Sequence, residues 1–233
     1  MTTKAYLDHI LQTYAVVAVL SEKNGGKVLR LRHKELKKDL ILRQYPERIA
    51  AYSLLSGIRC ENLPEIYDVT DCEDGQIVLE EHIDGMTVAH VMETGHYHPR
   101  GAKNVLRGVC RALSVLHSRG IVHRDVKPEN VMVTATGRVV LIDLNAARQV
   151  KNASCDTVIL GTVGYASPEQ LGVSQSDART DIYAAGVLLN VMLTGKHPSV
   201  YLAKGRMGQI VEKCTAIHPD HRYPTAEKLA QVL

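Results

Sequence analysis

The sequence predicts an α+β protein with two lobes, a small β-rich lobe followed by a larger, mainly helical lobe. Aliphatic and β-branched runs separated by turn residues fill the chain as far as Gly85, and apolar stripes at helical spacing dominate the rest. The 233 residues are 45% hydrophobic and 23% charged, which excludes a wholly disordered chain. The formal charge of only +3 argues against nucleic acid binding.

The first lobe is predicted to have the order β-β-β-α-β-β. Its strands are Ala15–Leu20, Val28–His33, Asp39–Gln44, Leu63–Val69 and Gln76–Glu81. The Ser21–Lys27 segment contains two adjacent glycines and predicts a turn between the first two strands. Pro46 suits the first turn of a helix, and Ile49, Leu55 and Ile58 continue it at roughly helical spacing.

The second lobe is predicted to be helical around one short hairpin. The predicted helices are Asn104–His117, Asp181–Leu193, Gln209–Thr215 and Ala226–Leu233, and the hairpin strands are Val131–Thr134 and Val139–Ile142. The Thr136-Gly137 turn joins the two strands, and the run from Asp181 is apolar enough for a buried helix.

Cysteine usage and hydropathy predict a cytoplasmic chain. The five cysteines are scattered, odd in number and form no C-x-x-C pair, which favours reduced thiols over a disulfide scaffold or a zinc site. The amino terminus lacks an apolar signal core, and no apolar run approaches the length that a membrane span needs. We therefore expect no membrane segment within this chain.

The most specific motif is His-Arg-Asp-Val-Lys-Pro-Glu-Asn, residues 123–130, in a turn between a helix and a strand. Asp143 follows the next strand, so the intervening hairpin can return it toward Asp125 and Asn130. Carboxylate and amide oxygens suit Mg²⁺ that bridges phosphates. Two further motifs are Gly161–Glu169 and Asp181–Val187, and a buried Asp181 is expected to accept hydrogen bonds from backbone amides.

Together these motifs resemble a eukaryotic-type Ser/Thr protein kinase domain, of the kind also found in bacteria. The resemblance covers one domain from about Tyr14 to Leu233. It implies a bilobal protein-kinase-like fold with an N-lobe at about 14–81, a hinge at about 81–85 and a C-lobe at about 86–233. It also implies transfer of the ATP γ-phosphoryl group to protein Ser or Thr hydroxyls with Mg²⁺.

The resemblance implies roles for single residues. Asp125 and Lys127 are the expected catalytic residues, and Asn130 and Asp143 the expected Mg²⁺ ligands. The expected ATP-binding residues are Leu20, Gly26, Lys27, Val28, Arg43, Glu81, Ile83, Asp84 and Met132. Structural roles fall to His123, Arg124, Glu169, Asp181 and Arg222, with Glu169 paired to Arg222. Ser154, Thr157 and Thr162 are candidate phosphate acceptors in the activation segment, and two copies of the chain could self-associate to phosphorylate each other.

The amino-terminal lobe departs from the family pattern. Between Leu20 and Val28 only Gly26 of the phosphate-loop glycines is present. Arg43 stands in the place of the strand lysine, and Ala51 in the place of its glutamate partner. Glu47 is either an alternative partner for Arg43 or a solvent-facing carboxylate at the start of a helix. Lys27 is either a substitute phosphate-binding lysine or a solvated turn residue.

These departures leave three function classes. An active Ser/Thr protein kinase is favoured because Asp125, Lys127, Asn130 and Asp143 are all present. A pseudokinase that acts as a binding or scaffold module is the alternative, supported by Arg43, Ala51 and the missing glycines. A small-molecule phosphotransferase is the third class, and the Gly161–Glu169 motif argues against it.

Overall fold

The structure is a computed structural model, and it describes residues 1–23, 25–149, 164–171 and 177–233. The chain divides into two compact units. The first, here called the sheet unit, comprises Met1–Cys60 and Pro64–Ile83, and the second, the helical unit, comprises Glu61–Leu63 and Asp84–Leu233. Within the described ranges, no helix is both long and apolar enough to cross a membrane.

The sheet unit is built on a five-stranded antiparallel sheet with the order β1-β2-β3-β5-β4. Its strands are β1 (Tyr14–Lys23), β2 (Gly26–His33), β3 (Asp39–Tyr45), β4 (Ile66–Cys72) and β5 (Gly75–Glu81). The five predicted strands are present, but β1 and β2 continue until Lys23 pairs with Gly26. The predicted turn between the first two strands therefore lies inside Ser21–Lys27 but is shorter than that segment, because Ser21–Lys23 and Gly26–Lys27 belong to the paired strands.

In the sheet unit one helix was not predicted, α1 (Thr3–Thr13), which precedes the sheet. The Thr2 side chain caps its start by accepting from the Ala5 amide. Tyr6 enters the apolar cluster of the sheet, where it joins residues such as Leu31 and Leu42. The Lys34 ammonium donates to the carbonyls of Leu11 and Gln12 at 2.8 Å, which satisfies two acceptors at the helix end.

Different helices pack on the two faces of the sheet. The cluster around Tyr6 contains Leu40 and Leu42 of β3 and Leu79 of β5. Because successive strand residues point to opposite faces, Arg43 and Glu80 point away from α1. Helix α2 (Ala50–Leu55) is shorter than the periodicity predicted. Its Tyr52 hydroxyl lies 2.8 Å from that of Tyr45, on the Arg43 side of β3.

The helical unit contains the remaining elements. The helices are α3 (Val88–Met92), α4 (Pro99–His117), α5 (Ala178–Thr194), α6 (Gly205–Cys214) and α7 (Ala226–Val232), and the strands are β6 (Gly85–Thr87), β7 (Ile121–Val122), β8 (Val131–Thr134), β9 (Val139–Leu141) and β10 (Arg148–Gln149). Helices α4 to α7 and the hairpin strands β8 and β9 match predicted elements, with ends that differ by a few residues. The apolar core runs through α5, where Ile182, Leu188 and Leu189 have no exposed surface.

Candidate active site

A buried carboxylate on α5 accepts hydrogen bonds from the backbone of the segment that follows β7. Asp181 is fully buried and accepts from the backbone amides of His123 and Arg124, each at 2.8 Å. The His117 Nε2 atom lies 2.8 Å from the same carboxylate. These contacts give Asp181 the partners that a buried charge requires, and they fix the start of the 123–130 motif. His117 was not identified from the sequence, because a single histidine near the end of a predicted helix gives no indication of its partner.

The His123 side chain connects two parts of the site. Its Nδ1 atom accepts from the Asp125 amide at 3.3 Å, so the ring proton belongs on Nε2. From there the ring donates to the Ile142 carbonyl at 3.2 Å. His123 has no exposed surface and thus links the backbone before Asp125 to the backbone before Asp143.

Asp125 is half-buried and its carboxylate is oriented by two neighbours. The Lys127 ammonium lies 2.7 Å from its Oδ2 atom, and the Asn130 amide nitrogen donates to that oxygen and to the Asp125 carbonyl, both at 2.8 Å. The three side chains form one hydrogen-bonded group at the start of β8. A carboxylate beside a lysine is an arrangement that can accept a proton and stabilise negative charge at one point.

Asn130 and Asp143 also fit the donor set that Mg²⁺ requires. The Asn130 amide nitrogen is occupied by its two bonds to Asp125, so the amide oxygen is the atom that could bind a metal. The Ile142 amide donates to the Asn130 carbonyl at 2.8 Å, which brings the Asp143 segment beside it. No cluster of three or more His, Cys, Asp or Glu side chains suited to a metal occurs within the described ranges. Mg²⁺ held here would therefore draw further oxygens from phosphate and water.

Two residues of the site have left-handed backbone conformations, Arg124 with φ +69° and Asp143 with φ +66°. Aspartate visits this region more readily than most residues, because its short side chain bonds locally. Here Asp143 Oδ1 accepts from the Asn145 amide at 3.3 Å.

Arg124 is almost fully buried, and its carbonyl accepts from the Gln170 side chain at 3.0 Å. Gln170 was not identified from the sequence, because a glutamine next to the 161–169 motif carries no distinctive pattern. The Gln170 side chain also accepts from the Ser167 amide at 3.0 Å. It thereby connects the described end of that motif to residues 123–130, here called the catalytic turn after the role that we propose for it.

The predicted ion pair between Glu169 and Arg222 is present. Two guanidinium nitrogens donate to the two carboxylate oxygens, at 2.5 and 2.9 Å, and both residues are buried. Burial raises the pKa of the Glu169 carboxyl, but its hydrogen bonds, of which those from Arg222 contribute most, together with the charge of Arg222 outweigh burial and hold that pKa below its usual value. Arg222 donates in addition to the carbonyls of Ala216, Arg179 and Ile217.

In the sheet unit, the partner of Arg43 is Glu80. The Arg43 Nε atom lies 2.6 Å from Glu80 Oε1, and both side chains are buried. Glu47 is exposed and precedes α2, so of its two alternatives the solvent-facing carboxylate is present and the pairing with Arg43 was wrong. A pattern in the sequence could have indicated Glu80, because strand alternation puts these two residues on one face of neighbouring strands.

The remaining residues expected to bind ATP fall in both units. Leu20, Gly26, Lys27, Val28, Glu81 and Ile83 belong to the sheet unit, and Asp84 and Met132 to the helical unit. Leu20 is 55% exposed, and Lys27 Nζ lies 3.3 Å from Glu22 across the β1–β2 hairpin. The Glu81 carboxylate accepts from the Glu65 amide at 3.2 Å.

The candidate phosphate acceptors Ser154, Thr157 and Thr162 lie outside the described residues, as do the first three residues of the Gly161–Glu169 motif. The described part starts at Gly164. Burial raises the pKa of the Tyr165 hydroxyl to about 12, with a smaller contribution from Glu129, so this phenol is neutral at physiological pH.

Comparison with known proteins assigns the family. The sequence model of the protein kinase domain family matches residues 13–232. The chain is 36% identical to a probable serine/threonine-protein kinase PknB of Corynebacterium glutamicum over 193 residues, which cover 79% of this chain and 29% of the relative. It is 30% identical to PrkC of Bacillus subtilis over 200 residues, covering 75% of this chain and 31% of the relative.

The chain belongs to the protein kinase domain family, and the α+β class predicted from its motifs is confirmed. A third relative, the serine/threonine-protein kinase PknB of Mycobacterium tuberculosis, is 32% identical over 196 residues, which cover 70% of this chain. The chain spans about three tenths of the length of these curated relatives.

Proposed function

We propose that this chain transfers the γ-phosphoryl group of ATP to Ser or Thr hydroxyls of proteins. The observation that carries the proposal is the hydrogen-bonded group of Asp125, Lys127 and Asn130 on a turn held by Asp181. Phosphoryl transfer depends mainly on positioning and charge stabilisation, and this group supplies both. The relatives named as serine/threonine-protein kinases support the same activity.

In the proposed reaction the substrate hydroxyl oxygen forms a bond to the γ-phosphorus, and the bond from that phosphorus to the β,γ-bridging oxygen breaks. Asp125 orients the hydroxyl and takes its proton. Lys127, already beside Asp125, stabilises negative charge on the transferred group. Asn130 and Asp143 would hold Mg²⁺, which when bound neutralises phosphate charge. The products are ADP and a phosphorylated Ser or Thr.

The test is incubation of the protein with Mg²⁺ and ATP followed by intact mass spectrometry. Wild-type protein should gain whole phosphoryl groups, and Asp125→Asn and Asp143→Asn should gain none. The matched control is Asp8→Asn, the same chemical change at an exposed position on α1, which should behave as wild type. Equal incorporation by wild type and Asp125→Asn would contradict the assignment of Asp125.

Peptide mapping of the product tests the phosphate acceptors. We propose Ser154, Thr157 or Thr162 as acceptors, reached by a second copy of the chain. Transfer between copies requires an initial rate per molecule that rises with protein concentration. A rate per molecule independent of concentration would exclude this self-association.

A binding module without transfer activity is the second candidate. Arg43 paired with Glu80 within the sheet, together with Ala51 on α2, favours it. This candidate predicts no phosphoryl incorporation under any condition, and a measurement of MgATP binding then decides whether the module binds nucleotide.

We further propose a cytoplasmic location, because the four described cysteines are unpaired thiols, as expected in a reducing compartment.

A further inference from the structure

Two opposite charges are buried side by side in the middle of the five-stranded sheet. Arg43 is 7% exposed and Glu80 is 3% exposed, on strands β3 and β5. Both strands have hydrogen-bonded neighbours on both sides. Charged side chains are seldom buried to this extent unless they are paired, since each loses its hydration. The 2.6 Å contact between Arg43 Nε and Glu80 Oε1 provides the pairing.

The sheet register alone determines where this pair lies. Arg43 is opposite Val78 and Ile41 is opposite Glu80, so Arg43 and Glu80 are diagonal neighbours on one face. The other face is filled by the apolar cluster around Tyr6 of α1. The guanidinium is thus held by a carboxylate on a central strand, where backbone hydrogen bonds on both sides restrict movement.

The helix on this face contributes no charge to the pair. Helix α2 has the sequence Ala-Ala-Tyr-Ser-Leu-Leu, with neither Asp nor Glu. It is joined to β3 by the buried contact between the Tyr52 and Tyr45 hydroxyls. A contact between two neutral hydroxyls thus joins the helix to β3, and the carboxylate paired with Arg43 lies on β5.

We infer that Glu80 is the positioning residue for Arg43, holding its guanidinium in place to meet the phosphates of bound nucleotide. The inference rests on the proposed function, in which Arg43 takes the place of the strand lysine. It implies that a carboxylate of the sheet fixes the position of the Arg43 guanidinium, and that this position does not depend on a carboxylate from α2. Glu80 does not touch the nucleotide in this role, since it acts through Arg43.

The test compares the dissociation constants of MgATP and adenosine by titration calorimetry. Glu80→Gln keeps the size of the side chain and removes its charge. We expect its dissociation constant for MgATP to rise roughly tenfold and that for adenosine, which has no phosphates, to stay within about twofold. Glu80→Asp keeps the charge and should restore part of the lost affinity, which a purely steric role would not predict.

Asp39→Asn is the matched control. Asp39 also lies on β3 and accepts from Arg30 and Arg32 at 2.6 Å, so the change removes a carboxylate from another arginine pair of the same sheet. Its affinities for both ligands should equal those of wild type. Circular dichroism on every variant verifies folding. If Glu80→Gln does not fold, the test uses Glu80→Asp instead and compares its affinities for MgATP and adenosine with those of wild type.

Three outcomes would overturn the inference. They are an unchanged MgATP affinity in Glu80→Gln, an equal loss for both ligands, and no binding of MgATP by wild type. The last would also exclude ATP-dependent transfer. If wild type binds MgATP but incorporates no phosphoryl group, the transfer proposal fails while the comparison of Glu80 variants still decides this inference.

Discussion

The helical unit and the sheet unit hold their charged site residues in different ways. In the helical unit, Asp181 accepts from the backbone of the catalytic turn, so the positions of Arg124 and Asp125 depend on main-chain contacts. In the sheet unit, Arg43 is held by the side chain of Glu80 on a neighbouring strand. The first arrangement goes with residues that follow the family pattern, and the second with residues that depart from it. In the sheet unit, strand register therefore supplies a carboxylate for Arg43 on the same face of the sheet.

The largest effect on stability is expected in the helical unit from Arg222→Met, which leaves the Glu169 carboxylate buried without its main partner. Breaking one side of a buried ion pair costs about 3–5 kcal/mol, measured here as the free energy of unfolding in urea. Arg59→Met is the control, because Arg59 pairs with Glu65 at a side chain that is 88% exposed. A loss in Arg222→Met no greater than in the control would contradict the importance of this pair.

The same pair predicts a dependence of stability on pH. Burial raises the pKa of folded Glu169, and the hydrogen bonds to its carboxylate together with the charge of Arg222 bring that pKa below its usual value. The carboxylate therefore stabilises the fold fully above its unfolded pKa of about 4.3 and progressively less as pH falls through the folded pKa. In urea titrations the stability difference between wild type and Glu169→Gln should be constant above about pH 5 and shrink below it. A difference that widens on acidification would show that the sign is wrong.

Asp181→Asn should have an intermediate effect. An amide in place of the carboxylate presents a donor to one of the two backbone amides that Asp181 now accepts from. A buried unsatisfied group costs about 1–3 kcal/mol in unfolding free energy. The initial rate of phosphoryl transfer should also fall, since the catalytic turn loses its support. Asp177→Asn, at the N-cap of the same helix, is the control and should retain the rate.

The smallest effect is expected in the sheet unit from Tyr52→Phe, which removes the hydroxyl contact between α2 and β3. A single neutral hydrogen bond contributes about 1 kcal/mol to the unfolding free energy. MgATP affinity should stay near the wild-type value, because Arg43 is held by Glu80. Tyr201→Phe, at a half-exposed tyrosine, provides the baseline. A large loss of MgATP affinity in Tyr52→Phe would show that α2 does control Arg43.

Prediction from the sequence succeeded where the signal is local. The catalytic turn was found because its residues are adjacent in the chain, and the strands of the sheet were found from their alternation and turn residues. It failed for α1, because the apolar residues Tyr6, Leu7 and Ile10 are covered only where this short helix packs on the sheet. It also failed for the partner of Arg43, since Glu47 is near in sequence while Glu80 is near only through strand pairing.

By itself the sequence determined the class of fold, the family and the motif at residues 123–130, because these depend on periodicity and on motifs of fixed spacing. Only the tertiary structure decided the partner of Arg43, the covering of one sheet face by α1 and the support of the turn by His117 and Gln170. Each of these contacts joins segments far apart in the chain. The physical reason is that burial and strand register bring such groups together, and neither is expressed in the spacing of residues along the sequence.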